Sequence, residues 1–172
     1  VAFRQEWRRI PTGSRSQSTG KIVESGPVLR KSHFAFLTLP QYSMIALSNA
    51  VEPLRMANSI SGQLAYEWSI VSLDGAPVMA SNGLSLSPTQ TLESLGRVEI
   101  LFVCGGIDVR DGVTAPLLRA LRRFADRRVG IGALCTGGYA LARAGLLDTY
   151  RATIHWENLS ALREEFPRVM LS

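Results

Sequence analysis

From His33 onward, short apolar runs alternate with amphipathic stretches. Phe34-Ala-Phe-Leu-Thr-Leu39 is too short for a buried helix and is closed by Pro40, so it predicts a strand covered on both faces. Met44, Leu47, Val51 and Leu54 then recur at helical spacing, which predicts a helix over about 43–58. Ser43 is placed to cap that helix, and Pro53 inside it predicts a bend. Tyr66 to Leu73 predicts a second strand and Asp74-Gly75 a turn. The Pro-, Gly-, Ser- and Thr-rich segment 76–97 predicts an edge hairpin followed by a short helix. Val98 to Val103 predicts a third buried strand, ending in Cys104-Gly105-Gly106. A helix follows over about 114–128, with Arg119, Arg122, Arg123, Arg127 and Arg128 on its solvated side. Val129 to Leu134 predicts another strand. Cys135-Thr136-Gly137-Gly138 then opens a helix running to about Ala144, with Gly145 as its stop. Arg151 to Ile154 predicts a brief strand ending at His155. A last helix covers about 157–166 before Pro167, and Val169 to Leu171 begins a further strand.

Strands alternating with helices predict an α/β domain, a mostly parallel sheet with helices on both faces. The strand that begins near the last residue, Ser172, would need a closing helix, so the domain is expected to be cut short on its C-terminal side.

Composition adds little to the fold but locates the charge. Hydrophobic residues are 46% of the 172 and charged residues 19%, enough apolar surface for one core. The net charge of +5 belongs to residues 1–32, which hold seven basic residues against two acidic; residues 33–172 are neutral. Residues 1–32 therefore read as a basic, solvated arm, with a Ser/Thr/Gly-rich stretch at 12–20 and the folded unit over 33–172. No apolar run reaches 18 residues and no secretory signal is visible, so no membrane partner is expected and the expected compartment is the cytoplasm. Two cysteines without metal-ligand spacing predict neither a disulfide framework nor a metal, and no cofactor is expected.

In parallel α/β sheets chemistry gathers at the carboxyl ends of the strands, which here carry Pro40, Cys104-Gly105-Gly106, Cys135 and His155. Ile131-Gly-Ala-Leu-Cys135-Thr-Gly-Gly138 has the order of a nucleophile elbow: strand, small nucleophile, then glycines opening a helix. The helix start would favour a thiolate, Gly105 and Gly106 could aim N–H groups at an anion, and His155 could pair with Cys135. Cys104, on an apolar strand end, reads as a core residue. For Cys135 the elbow is the preferred reading, with a binding role, a nucleophile and a redox switch all open.

Four segments carry a family resemblance: FLTLPQYSMIALSNAVEPLRMAN (36–58), LFVCGGIDV (101–109), GALCTGGYALARAGLLD (132–148) and RATIHWENLSALREEFP (151–167). In this order they resemble the PfpI-like branch of the class I glutamine amidotransferase-like superfamily. Within it they resemble the sensor domain of GlxA-type AraC/XylS transcriptional regulators. The resemblance covers about residues 33–172. It implies a flavodoxin-like fold, a homodimer, a small-molecule ligand, and DNA contact only through a helix-turn-helix domain beyond this segment.

The resemblance places the family's nucleophile on Cys135 and its histidine on His155. It places the first-helix acid of the catalytic members on Ala46, and the histidine that usually follows the cysteine on Thr136. Both tuning groups are therefore replaced, which implies binding without catalysis. Segment 40–58 resembles regulators of choline, glycine betaine, carnitine or arginine catabolism, so the implied ligand is a small amine. The expected ligand site comprises Tyr42, Ala46, Gly105, Gly106, Ile107, Cys135, Thr136, His155 and Trp156. Tyr42 and Trp156 could form a cation–π wall, and Glu52 or Glu157 a countercharge. Ordinary packing for Trp156, and an ion pair of Glu52 with Arg55 or Arg151, stand beside those readings. The alternative is a PfpI-like cysteine hydrolase, hydratase or amidotransferase-like enzyme using Cys135 and His155.

Overall fold

The computed structural model describes residues 31–171. All but the last two residues of the expected basic arm lie outside the described residues. The chain runs through β1 (Ser32–Thr38), α1 (Met44–Ser61), β2 (Tyr66–Ser72), β3 (Val78–Met79), β4 (Ser85–Leu86) and β5 (Gln90–Thr91). It continues through β6 (Ile100–Cys104), α2 (Ala115–Asp126), β7 (Gly130–Leu134), α3 (Gly138–Arg143), β8 (Arg151–Ala152), α4 (Leu159–Glu165) and β9 (Met170–Leu171).

The central sheet has the order β5-β2-β1-β6-β7, and every pairing in it is parallel. The strands have two buried faces because their apolar residues alternate between two cores. Ala35 and Leu37 of β1, with Leu101 and Val103 of β6, pack with Leu117, Leu121 and Phe124 of α2. Phe34, Phe36, Phe102, Cys104 and Leu134 point the other way, toward Met44, Leu47, Val51 and Leu54 of α1. Helices thus cover both faces, as the sequence pattern predicts.

The helix boundaries follow local chemistry. The Ser43 hydroxyl accepts from the Ala46 N–H at 3.4 Å, and α1 ends at Gly62, whose φ is 66°. Helix α1 holds Pro53 within it and outlasts the expected end at Asn58 by three residues. Thr114 caps α2 through the Leu117 N–H, and the five arginines expected on its outer side are all exposed. Gly145 follows α3 with φ 75°.

Two expectations are corrected. The hairpin in 76–97 forms as β3 and β4, paired antiparallel, but no helix follows it. The Thr89 and Leu92 N–H groups donate to the Ile70 and Ser72 carbonyls, both at 2.8 Å, so this backbone is committed to the sheet edge as β5. The second correction concerns the strand before His155. It is only Arg151–Ala152, shorter than the expected Arg151 to Ile154, and it pairs with β9 in a separate sheet. The returning chain captures it: Thr149 donates to the Arg168 carbonyl and Met170 to the Tyr150 carbonyl, at 2.9 and 3.2 Å. Among the described residues, no helix is long and apolar enough to cross a membrane.

Candidate functional site

Three turns meet at the carboxyl ridge of the sheet, after β1, β6 and β7. Cys135 leaves β7 with φ 53°, a left-handed backbone that only a surrounding structure can impose on a non-glycine residue. A short 3-10 turn over Cys135–Gly137 leads directly into α3. Strand, strained cysteine and helix make the elbow that the glycine pattern predicts.

The glycines serve close backbone approach. A Cβ on Gly106 would stand 1.8 Å from the Gln41 carbonyl oxygen, and one on Gly137 would stand 2.1 Å from the Val103 carbonyl oxygen. The turns are then laced together. Ser43 N–H donates to the Gly105 carbonyl at 3.0 Å, Ile107 N–H to the Gln41 carbonyl at 3.1 Å, and the Thr136 hydroxyl to the Gly106 carbonyl at 2.7 Å.

One expected anion donor is corrected. The Gly105 N–H donates to the Leu134 carbonyl at 3.2 Å, continuing the β6–β7 ladder, so the oxyanion reading is reduced to the Gly106 N–H. Tyr42 pairs with Gly106 through a backbone bridge, but its side chain is fully buried. Trp156 is 75% exposed and lies by His155, with ring centroids 5.7 Å apart. A ring with no exposed face cannot form a wall with it, so the proposed Tyr42–Trp156 cation–π pair does not exist. Burial, with a smaller contribution from Cys104, pushes the Tyr42 hydroxyl above its usual pKa.

Cys104 is fully buried, and burial, with Cys135 nearby, pushes its thiol far above the usual range. Its core reading holds. Cys135 is half-buried. Thr153 and Ile154, just before His155, lie against the first turn of α3 at Gly138, so the separate β8 still delivers His155 to the elbow side of the molecule. Ile107 is exposed beside the elbow turns. Ala46 lines an apolar groove of about 410 Å³ between α1 and the sheet, with Phe36, Phe102 and Leu134 among its walls. A side chain at the position of the implied catalytic acid therefore faces hydrocarbon. Glu52 bonds to Arg55 at 2.7 Å on the outer surface, as its ion-pair reading has it, and is lost as a countercharge. The side chain of Glu157 lies outside the described residues.

The sequence reading missed several participants. Gln41, with φ 59°, supplies the carbonyl on which the Gly106 turn closes; its place between Pro40 and Tyr42 was the only signal. A cavity of about 420 Å³ opens beside it at the ends of β1 and β2. Its walls include Pro40, Gln41, Met79, Asp74 and Asp111, two carboxylates with no basic residue in the lining. A third group joins α3 to α4: the Tyr139 hydroxyl donates to Glu165 at 2.9 Å while Arg110 pairs with the same carboxylate and lies over the Tyr139 ring. Burial, then the Glu165 bond, pushes the Tyr139 hydroxyl upward in pKa.

Comparison with known proteins agrees with this geometry. A model of the DJ-1/PfpI family matches residues 35–169. The HTH-type transcriptional regulator GbdR of Pseudomonas aeruginosa is 46% identical over 137 residues, covering 80% of this chain and 37% of that protein. The isonitrile hydratase of Pseudomonas putida is 32% identical over 125 residues, covering 70% of this chain and 51% of its own length. The crystal structure of an AraC family transcriptional regulator from Pseudomonas putida superposes with a TM-score of 0.73 at 31% identity, covering 82% of this chain and 76% of that one. The chain thus spans about two fifths of the regulator that it matches.

Proposed function

The chain belongs to the DJ-1/PfpI family, and on that premise we propose that it is the ligand-sensing domain of a cytoplasmic AraC-type transcriptional regulator. The ligand is a small amine of the betaine, carnitine, choline or arginine kind, held at the Cys135 elbow and not transformed. One observation carries this reading: the elbow backbone is retained, with Cys135 at φ 53°, while the position of the implied acid is Ala46 in an apolar wall. A thiol without a carboxylate to exchange its proton is poorly equipped for acid–base catalysis. Trp156 offers an exposed aromatic face to a cation, and Asp74 and Asp111 offer negative charge along the same ridge. DNA contact belongs to a helix-turn-helix domain outside residues 33–172. The ligand acts by binding one arrangement of that assembly more tightly than another.

Thermal unfolding with each amine tests the proposal. A ligand at one hundred times its Kd stabilises by about 2.7 kcal/mol. One of the amines is expected to raise Tm saturably, and Ile107→Arg, an exposed change that repels a cation, is expected to remove the rise. If no amine acts, or if Ile107→Arg leaves the rise untouched, the reading fails.

The second reading is a cysteine enzyme, favoured by the strained Cys135 backbone and by the likeness to a hydratase. It requires alkylation of Cys135 whose rate titrates well below an ordinary thiol near pH ~8.5. An ordinary thiol profile sets it aside.

A further inference from the structure

Five exposed arginines stand in and just after α2, and the fold treats them unequally. The Arg122 Nε donates to the Ala144 carbonyl at 3.0 Å, and the Arg127 guanidinium lies 6.0 Å from the centre of the Phe124 ring. Arg119 and Arg123 make no ion pair or hydrogen bond through their side chains with any described residue, nor does Asp126, three residues beyond Arg123. The two arginines are four residues apart, about 6 Å of rise along one side of the helix. Like charges at that spacing repel each other, and an anion shared between them removes the repulsion.

Both line a cavity of about 310 Å³ at the outer edge of the sheet, between α2 and the ends of β2 and β5. Leu73, Leu92 and Ala120 give it hydrocarbon walls, and the last two are buried. Glu93 is the one carboxylate in the lining, and it bonds to neither arginine. The positions of these groups are fixed from below. The Leu92 N–H donates to the Ser72 carbonyl at 2.8 Å, which holds the chain at Glu93 to the sheet edge. Leu117, Leu121 and Phe124 seat α2 in the core.

The cavity therefore carries two positive charges from the helix and one negative charge from the sheet edge, over an apolar floor. A plain anion meets Glu93, and a plain cation meets the arginines. A small molecule bearing both charges suits all three groups. We propose that this cavity binds a free aliphatic α-amino acid. Its carboxylate lies on Arg119 and Arg123, its ammonium on Glu93, and its side chain over Leu73 and Leu92. Two guanidinium forks match the two oxygens of one carboxylate. The volume is at the lower end of the roughly 300–1,000 Å³ of small-molecule sites, as a ligand this small requires. All three charged residues are exposed, so salt screens the attraction and binding weakens as ionic strength rises. The cavity shares no residue with the Cys135 elbow. A failed amine titration at the elbow leaves this inference standing, and its own failure leaves the elbow reading untouched.

Amide NMR spectra of the whole chain, titrated with leucine, are the test. Leucine is expected to move the Leu92, Glu93 and Ala120 signals saturably. Leucinamide lacks the carboxylate and 4-methylpentanoate lacks the ammonium, so each is expected to bind at least tenfold more weakly. Arg119→Gln with Arg123→Gln should weaken leucine at least tenfold, with signals away from the cavity unchanged. Glu93→Gln should abolish the preference for leucine over 4-methylpentanoate. Arg97→Gln, exposed and outside the lining, should leave the affinity as it is. No saturable movement of these signals, or movement that the double variant leaves intact, overturns the proposal. Leucinamide binding as tightly as leucine overturns the placement of the carboxylate.

Discussion

The Thr136 hydroxyl donates to the Gly106 carbonyl at 2.7 Å and so ties the turn after β7 to the turn after β6. Thr136 is buried, and the bond holds the strained Cys135 backbone from its neighbouring position. Where the hydrolytic branch is implied to carry a histidine, this chain uses the hydroxyl as a structural clasp. Thr136→Val keeps the shape and removes the donor, leaving a carbonyl to find another partner. It is expected to cost about 1–2 kcal/mol, read from the urea midpoint. A variant as stable as the parent would show that the clasp carries no energy.

The turn after β6 tolerates nothing larger than hydrogen. Gly106→Ala drives a Cβ into the Gln41 carbonyl, a backbone atom that cannot swing away. The expected loss is roughly 3 kcal/mol or more. Gly96 is exposed, has nothing within 4 Å of a built Cβ, and is the control: Gly96→Ala should fall within about 0.5 kcal/mol of the parent. Equal costs at the two positions would refute the close-approach argument.

The two cysteines should separate cleanly by reactivity. Maleimide followed by peptide mapping is expected to label half-buried Cys135 in the folded protein and to reach Cys104 only after unfolding. Labelling of both at equal rates in the native state would contradict the burial of Cys104.

Cys104 also imposes a pH dependence. Its pKa is raised in the folded state, so the unfolded chain releases the proton first as pH rises. Stability is fully present below the unfolded thiol value of ~8.5 and falls above it, by at most about 1.4 kcal/mol per pH unit. Tyr42 and Tyr139, raised in the same direction, add to the fall near pH ~10. Urea midpoints from pH 7 to 10 should decline, and Cys104→Ala should flatten the early part of that decline. An equally steep decline in the variant would remove Cys104 as the cause.

Placing a carboxylate where Ala46 stands tests the apolar character of the groove. Ala46→Glu puts a carboxyl group against Phe36, Phe102 and Leu134. Its ionised form is disfavoured there, so its pKa should rise. The variant is expected to lose about 1–3 kcal/mol at pH 8 and less at pH 5, where the carboxyl is neutral. Two urea titrations decide it. A variant no less stable at pH 8 than at pH 5 would mean that the wall admits water.

Much of the fold was legible because one-dimensional periodicity reports two-sided burial. The alternation of Phe34 and Phe36 with Ala35 and Leu37 becomes the two cores, and the spacing of Met44, Leu47, Val51 and Leu54 becomes the inner face of α1. The elbow was legible for a similar reason: a cysteine between a strand and a Gly-Gly helix start has few backbone solutions. The short helix expected within 76–97 did not form, because whether the Thr89 and Leu92 N–H groups close a helical turn or a sheet edge depends on β2, a partner distant in sequence. The brief strand before His155 formed over only two of its expected residues, and its partner β9 could not be read from its own sequence for the same reason.

The linear chain by itself determined which residues could form elements and which positions needed glycine. Only the tertiary structure decided which of those residues meet. It buried Tyr42, exposed Trp156, committed the Gly105 N–H to a ladder and gave the Thr136 hydroxyl its acceptor. The division has one physical cause. Propensity and periodicity act over a few neighbouring residues, whereas burial and hydrogen-bond partnership depend on strands that lie far apart in the chain.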